Sequence, residues 1–281
     1  MLTKLVNELN GATSVEEAEQ YYPAIADVLL NQSLVEINGK DYRLMEIEFY
    51  FLPAIYKDPF VHGNKRQAEN LQWYFHRKGE GGYSNGNYKG LDLTIGNGIN
   101  RGGILIRAVR NVQSNEYQEG SSLFVDLLMN NFGASDIKAL APKLEELSPF
   151  DSNSSLKIKP SDQLPKIPFT TAPRFGLTLI NNDVELRKKF IYKSYRYLSE
   201  PSLSKKGKHF IFLSMIQRGS IPSEAADFLK IRQADALKYI ASYETGIITS
   251  PDKYVGLDDM TLCQQCELMG ALSKSQKLRR P

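Results

Sequence analysis

The chain has 281 residues and a mass of 31.7 kDa, with 42% hydrophobic and 24% charged side chains and a net charge of +3. That composition excludes a wholly disordered chain, a collagen and a disulfide scaffold, and at roughly 100–200 residues per domain the length allows one large domain or two modest ones. No apolar run approaches the ~20 residues of a membrane-spanning helix, the first residues lack the apolar stretch of a secretory signal, and the two cysteines, Cys263 and Cys266, fit a reducing, cytoplasmic setting, nucleoid-associated in a bacterium.

Residues 1–31 read as helical, with Ser14 before Glu16 and Glu17 as a helix start and Ile25, Val28 and Leu29 as an apolar stripe. Val35-Glu36-Ile37 running into Asn38-Gly39 reads as a strand and hairpin turn, with Tyr42 to Leu52 as the return strand. Strands are also expected at Leu91–Ile95 and Gly103–Val109. The Gly-, Asn- and Ser-rich stretch Arg77–Tyr88 reads as an exposed loop or hairpin tip. Helices are expected at Ser122–Asn131 and Ser135–Glu146, with Gly133 as a stop. Residues 148–170 carry four prolines and read as a long irregular connection. After Pro201 the pattern is helical throughout, with helices at His209–Gln217, Pro222–Leu229 and Arg232–Tyr243.

Positive charge is clustered. Between Val184 and Arg218 nine Lys/Arg stand against Glu185 and Glu200, interleaved with Phe190, Tyr192, Tyr195, Tyr197, Phe210 and Phe212. Two readings stand: a solvated basic face whose aromatics point inward, or a phosphate-contacting surface, since Lys and Arg release the counterions of a nucleic acid. Arg279 and Arg280 read as a frayed tail.

The stretch Met45-Glu46-Ile47-Glu48-Phe49-Tyr50 carries the first chemical signal. Strand alternation puts Glu46, Glu48 and Tyr50 on one face and Ile47 and Phe49 on the other. Pattern alone favours a solvent-exposed polar face. Downstream, Asp58-Pro59-Phe60-Val61-His62 and Trp73-Tyr74-Phe75-His76 hold two of the three histidines beside aromatics. Together with the acidic strand they point to a cleft.

These segments carry a resemblance. Glu46-Ile47-Glu48-Phe49-Tyr50, a loop ending in His62, Ile104-Leu105-Ile106-Arg107-Ala108-Val109 and Thr171-Ala172-Pro173-Arg174-Phe175-Gly176-Leu177 follow the order of motifs in the alkyladenine (3-methyladenine) DNA glycosylase family. The resemblance spans roughly residues 34–200, with Lys188–Leu198 as the last strand. It implies a mixed α/β (α+β) fold: a single catalytic domain over 1–200 around a curved antiparallel sheet flanked by helices, followed by a helical extension over 201–281. The fold is shared with the C-terminal domain of methionyl-tRNA formyltransferase. It further implies a monomeric, metal-independent and cofactor-free enzyme whose partner is double-stranded DNA carrying modified bases.

Carried over residue by residue, Glu48 matches the glutamate that activates the attacking water. Such a carboxylate also stabilises the oxocarbenium-like state of glycosidic cleavage. Tyr50 matches the tyrosine that stacks on the flipped base, His62 the pocket histidine, and Arg107 the arginine near the flipped nucleotide's phosphate. Tyr88, with Tyr83 as the alternative, matches the tyrosine that replaces the extruded base, since chemistry on a stacked base requires flipping. Arg174, Lys188 and Lys189 complete the DNA-contacting set. The sequence departs from the family at Tyr88-Lys89-Gly90-Leu91-Asp92-Leu93-Thr94, where tyrosines give way to a charged pair. Asp92, Thr94 and His76 suit a base offering hydrogen-bond donors. A hypermodified base, such as glucosylated hydroxymethyl-cytosine in phage DNA, is therefore the expected substrate, with DNA repair and antiviral defence both open as the setting. Lys89 is a further expected DNA contact and leaves open a Schiff-base lyase step, although the family resembled is monofunctional.

The extension holds Ile221-Pro222-Ser223-Glu224-Ala225-Ala226 and an order resembling a helix-turn-helix, whose second helix enters the major groove. The alternatives to an excision enzyme for hypermodified DNA are an alkylpurine repair glycosylase and a non-catalytic nucleic-acid-binding module. Cys263-x-x-Cys266 lacks the two further ligands of a structural zinc.

Overall fold

A computed structural model describes residues 1–180 and 182–273, so the Arg279–Arg280 tail lies outside the described residues. In chain order the elements are α1 (Leu2–Asn10), α2 (Val15–Asn31), β1 (Ser33–Ile37), β2 (Lys40–Leu52), β3 (Asn70–Phe75), β4 (Leu91–Ile95), β5 (Arg101–Asn111), β6 (Tyr117–Glu119), α3 (Ser121–Phe132), α4 (Ile137–Glu145), β7 (Leu156–Pro160), β8 (Thr170–Ala172), α5 (Val184–Phe190), β9 (Arg196–Leu198), α6 (Lys208–Gln217), α7 (Pro222–Leu229), α8 (Gln233–Ile247) and α9 (Leu262–Leu272). The fold is mixed α/β around a curled antiparallel sheet, as expected. The described residues divide into two units, one formed by Met1–Pro168 with Tyr197–Ser199, the other by those within Phe169–Arg196 together with 200–273.

The first unit is organised by a sheet in the order β3-β4-β5-β2-β1-β7, with β6 and β9 added on β5 and β2. Asn38 and Gly39, at φ +48° and +79°, close the β1–β2 hairpin, where both central residues must be left-handed. Ser14 starts α2 by accepting the backbone N–H of Glu17. Ile47, Phe49, Phe51, Trp73, Phe75, Leu93, Ile104 and Ile106 are all buried and share one face of the sheet. Tyr22 of α2 stacks on Phe49 at 4.4 Å, and Tyr197 meets the same ring edge-on at 5.4 Å. Each such pair contributes about 0.5–1.5 kcal/mol beyond its buried area.

The structure corrects two readings of this region. Residues 148–170 are not a wholly irregular connection: β7 pairs with β1 from Leu156 to Pro160, and Leu156 accepts the Trp73 indole N–H at 2.9 Å. The alternation of Leu156 and Ile158 with Lys157 and Lys159 was masked by flanking prolines. Pro160 is tolerated because it ends an edge strand. Lys188–Leu198 is likewise not one strand. Its first residues finish helix α5, and only Arg196–Leu198 is extended.

The second unit rests on helix packing. Gly246 of α8 and Gly270 of α9 stand where the two helices touch. A Cβ on Gly246 would lie 1.9 Å from the Glu267 carbonyl oxygen, and one on Gly270 would lie 2.0 Å from that of Tyr243. Backbone cannot yield as a side chain can. Gly246→Ala is therefore expected to destabilise this unit by about 3 kcal/mol through overpacking, read as a lowered denaturant midpoint. A midpoint equal to wild type would refute the close approach.

His209 of α6 is 2% exposed and bonds Gln265 through Nε2 at 3.0 Å. Burial, assisted by the Arg196 charge and opposed by Gln265, pushes its pKa down to about 4. The folded form then binds fewer protons than the unfolded one between pH 4 and the ordinary histidine value near 6.5. Stability present above about pH 6.5 is expected to fall by roughly 3 kcal/mol as pH drops to 4. Denaturant melts of His209→Gln should show a fall shallower than that of wild type by about this amount.

Candidate functional site

The sheet face opposite the apolar core is polar. Register places Glu48 of β2, Leu105 of β5, Asp92 of β4 and Tyr74 of β3 in one cross-strand row, and Tyr50, Gly103 and Thr94 in the next. Paired residues in an antiparallel ladder project to the same side, so these side chains share a face. The expectation of a solvent-exposed acidic strand is overturned: Glu46 and Glu48 are fully buried, with Asp92 at 2% and Arg107 at 6% exposure. A buried charge is tolerated only when paired and hydrogen-bonded.

Pairing is present. Arg107 Nε lies 2.7 Å from Glu46 Oε1 and 3.3 Å from Glu48 Oε1. Burial works against the guanidinium charge, but the carboxylates of Glu48 and Glu46 outweigh it and hold the Arg107 pKa above its ordinary value. The Tyr50 hydroxyl donates to Glu48 Oε2 at 2.9 Å. Both oxygens of Glu48 are thus oriented, while a carboxylate retains lone pairs for a further donor. The register shifts on either side of Glu46 mark a bulge that brings Glu46 and Glu48 to one guanidinium.

A second cluster lies two strands away. His76 Nε2 lies 2.7 Å from Asp92 Oδ1, and Gln67 donates to Asp92 Oδ2 at 3.2 Å. His62 is exposed, and its ring meets the His76 ring edge-to-face at 4.4 Å. Packing around the His62 ring and the neighbouring His76 lower its pKa to about 4, against the pull of Asp92. Gly103 permits the arrangement, because a Cβ there would stand 2.5 Å from Asp92 Oδ2. The Asp92 carboxylate therefore leans over the glycine that faces Tyr50.

The other expected residues join neither cluster. Thr94 is wholly buried, and its hydroxyl accepts the Gln72 N–H at 2.8 Å inside a β3 bulge where Leu71 adopts φ +53°. Lys89 forms an ion pair with Asp126 of α3. Tyr88 is 80% exposed at the tip of its loop, whereas Tyr83 donates to Glu145 and stacks against Arg77. Of the two tyrosines, Tyr88 is the one presented to solvent. In the second unit, Arg174 is buried over the Tyr195 ring, Lys188 bridges Glu185 and Asp252 at 2.5 Å each, and Lys189 is exposed. The basic segment is divided: Arg196 bonds Ser204 and the Lys206 carbonyl, Lys208 bonds the Ser202 and Leu229 carbonyls, and Phe190, Tyr195, Phe210 and Phe212 are buried, whereas Lys189, Lys205 and Lys206 are exposed. Cys266 of α9 is fully buried, which pushes its thiol pKa up.

Sequence reasoning missed Gln67 and Glu145. The first is a polar residue in a short turn, and the second closes a helix whose partners lie more than 60 residues away. Neither has a local signal.

Among the described residues no helix is long and apolar enough to cross a membrane. No family model matches the chain. Over 173 residues, 57% of this chain and 80% of the other, it is 31% identical to the uncharacterized protein L759 of Acanthamoeba polyphaga mimivirus. At that identity and coverage, the chain belongs to the family of this mimivirus protein.

Proposed function

We propose that the chain is a DNA glycosylase that flips a modified base and hydrolyses its N-glycosidic bond, leaving an abasic site. The observation that carries the reading is Glu48, a fully buried carboxylate with one oxygen accepting from Tyr50 and the other beside Arg107. A carboxylate fixed in this way can accept a proton from water as it attacks the anomeric carbon, and its charge stabilises the oxocarbenium-like state. The polar set of Asp92, His76 and Gln67 supports a base rich in hydrogen-bonding groups, such as a glucosylated hydroxymethyl-cytosine, over an alkylpurine that needs an aromatic slot. Tyr88, exposed on its loop, fits the wedge that fills the space of an extruded base. Lys89, held by Asp126, is a poor Schiff-base nucleophile, so excision ends at the abasic site. The partner is double-stranded DNA, and the activity suits defence against DNA with hypermodified bases.

The test compares duplexes carrying glucosylated hydroxymethyl-cytosine, 7-methylguanine or only ordinary bases. Alkali-labile breaks on the first alone support the reading. Breaks confined to 7-methylguanine favour a repair enzyme, and breaks on none overturn the glycosylase.

One observation favours a second reading, a nucleic-acid-binding module. Helices α7 and α8 are joined by Lys230–Arg232 with Lys230 left-handed at φ +55°, the tight connection of a helix-turn-helix. Binding to unmodified duplex without strand chemistry would support it.

A further inference from the structure

We infer that the second unit carries a sequence-independent docking patch for duplex DNA, built from Lys205 and Lys206 before α6 and Lys230 after α7, which grips the sugar-phosphate backbone. The inference concerns binding and not the chemistry at Glu48, so it applies to the excision enzyme and to the non-catalytic module alike. Three observations carry it. The first is that the fold joins two cationic segments that are distant in sequence. Helix α7 packs against α6 and against the turn Pro201–Leu203. Lys208 Nζ donates to the Ser202 carbonyl at 3.1 Å and to the Leu229 carbonyl at 2.9 Å. One ammonium thus ties the segment holding Lys205 and Lys206 to the C-terminal end of α7, where Lys230 follows directly. Lys205, Lys206 and Lys230 are all exposed.

The second observation is that both segments are held in a fixed shape. Arg196 donates to the Ser204 hydroxyl at 2.9 Å and to the Lys206 carbonyl at 3.1 Å, and Ser204 donates to the same carbonyl at 3.1 Å. Gly207 turns the chain into α6 at φ +67°, where a Cβ would stand 2.7 Å from the Arg196 guanidinium and 2.8 Å from the Phe175 ring. Lys230 is left-handed at φ +55°, in a place that glycine or asparagine takes more easily. An exposed lysine there gains nothing in backbone conformation; what it adds is an ammonium. A backbone ordered beforehand reduces the entropy lost on binding. The third observation is what surrounds the patch. Two neighbouring carboxylates are already engaged: Asp227 accepts from Gln233 at 2.9 Å, and Asp235 pairs with Arg232 at 2.7 Å. The outward face of α8 presents Ala234, Leu237 and Ala241, with Leu237 66% exposed. Direct readout of a groove takes side chains such as Arg, Asn or Gln, and Gln233 is bound to Asp227. The unit is therefore suited to holding phosphates, whose counterions a lysine releases whatever the sequence, rather than to reading bases through α8.

The experiment titrates the full chain into a fluorescein-labelled duplex of about 20 ordinary base pairs, at salt between about 50 and 300 mM. Wild type is expected to bind with an affinity that falls linearly with salt on logarithmic axes. A triple variant, Lys205→Gln with Lys206→Gln and Lys230→Gln, keeps the stems and removes the charges. It should bind about 100-fold more weakly near 100 mM salt, with a logarithmic slope shallower by about 2–3, at roughly 0.9 per phosphate contact. Its melting curve should match wild type, because all three side chains are exposed. A control triple, Lys4→Gln with Lys138→Gln and Lys166→Gln, removes the same net charge from exposed positions of the first unit. It should change the slope by less than about 1. A patch triple that binds as wild type does, or a control triple that loses as much, overturns the inference and leaves the glycosylase to its own test of base release. Wild type that ignores the duplex and binds phosphatidylserine vesicles instead also overturns it, and marks the patch as a membrane surface.

Discussion

Glu48→Gln is expected to slow base release by about a thousandfold while the protein remains folded. The amide has nearly the shape of the carboxylate and can still accept from Tyr50. Arg107 keeps its other partner, Glu46, at 2.7 Å, so no guanidinium is left alone. What the amide lacks is basicity toward water and a negative charge for the oxocarbenium-like state. General-base losses of this kind fall at about 10²–10⁴-fold. Abasic-site formation under single turnover checks the rate, and a melting curve checks the fold. A Glu48→Gln protein that excises at wild-type rate removes Glu48 from the chemistry.

Glu145→Ala is expected to give the largest loss of stability, about 3–5 kcal/mol, with disorder concentrated in residues 77–88. Glu145 ends α4 with its side chain 2% exposed. One oxygen takes Arg66 at 2.9 Å, Arg77 at 2.8 Å and the Tyr83 hydroxyl at 3.0 Å. The other accepts the Phe75 backbone N–H at 2.9 Å. A carboxylate at a helix C-terminus opposes the helix dipole, and the two arginines offset that cost. Truncation leaves Arg77 and a buried N–H without their acceptor and Arg66 with only its longer pair to Glu69 at 3.6 Å, close to the situation in which removing one partner of a buried pair costs about 3–5 kcal/mol. Because the same residue tethers the loop bearing Tyr88, affinity for DNA should fall with stability. Urea melts and protease sensitivity of residues 77–88 check this. A midpoint within 0.5 kcal/mol of wild type would show that the network is not holding the loop.

Sheet and helices were legible wherever the signal was local. Asn38-Gly39 fixed the hairpin, Ser14 fixed the start of α2, and the Pro222 start of α7 was readable from the residues alone. What escaped depended on distant partners. Alternation on β2 correctly grouped Glu48 with Tyr50 but could not tell a wet face from a buried one, since burial is decided by what covers the strand and not by the strand. The pairing of Asp92 with His76 was legible only as two polar residues assigned to one pocket. Their 2.7 Å contact required the β3–β4 register, and with it Gly90, where a Cβ would stand 2.5 Å from the His76 ring. The basic segment left two readings open for a related reason. Counting charges cannot show that Arg196 and Lys208 are spent on backbone carbonyls and hydroxyls of their own unit.

The most direct test is mass spectrometry of what wild-type protein liberates from duplex DNA carrying glucosylated hydroxymethyl-cytosine. The expected result is the free modified base with an equal amount of abasic sites, both absent when Glu48→Gln replaces wild type. Intact DNA with no free base, from this duplex and from 7-methylguanine DNA alike, would contradict the assignment of Glu48 to glycosidic hydrolysis.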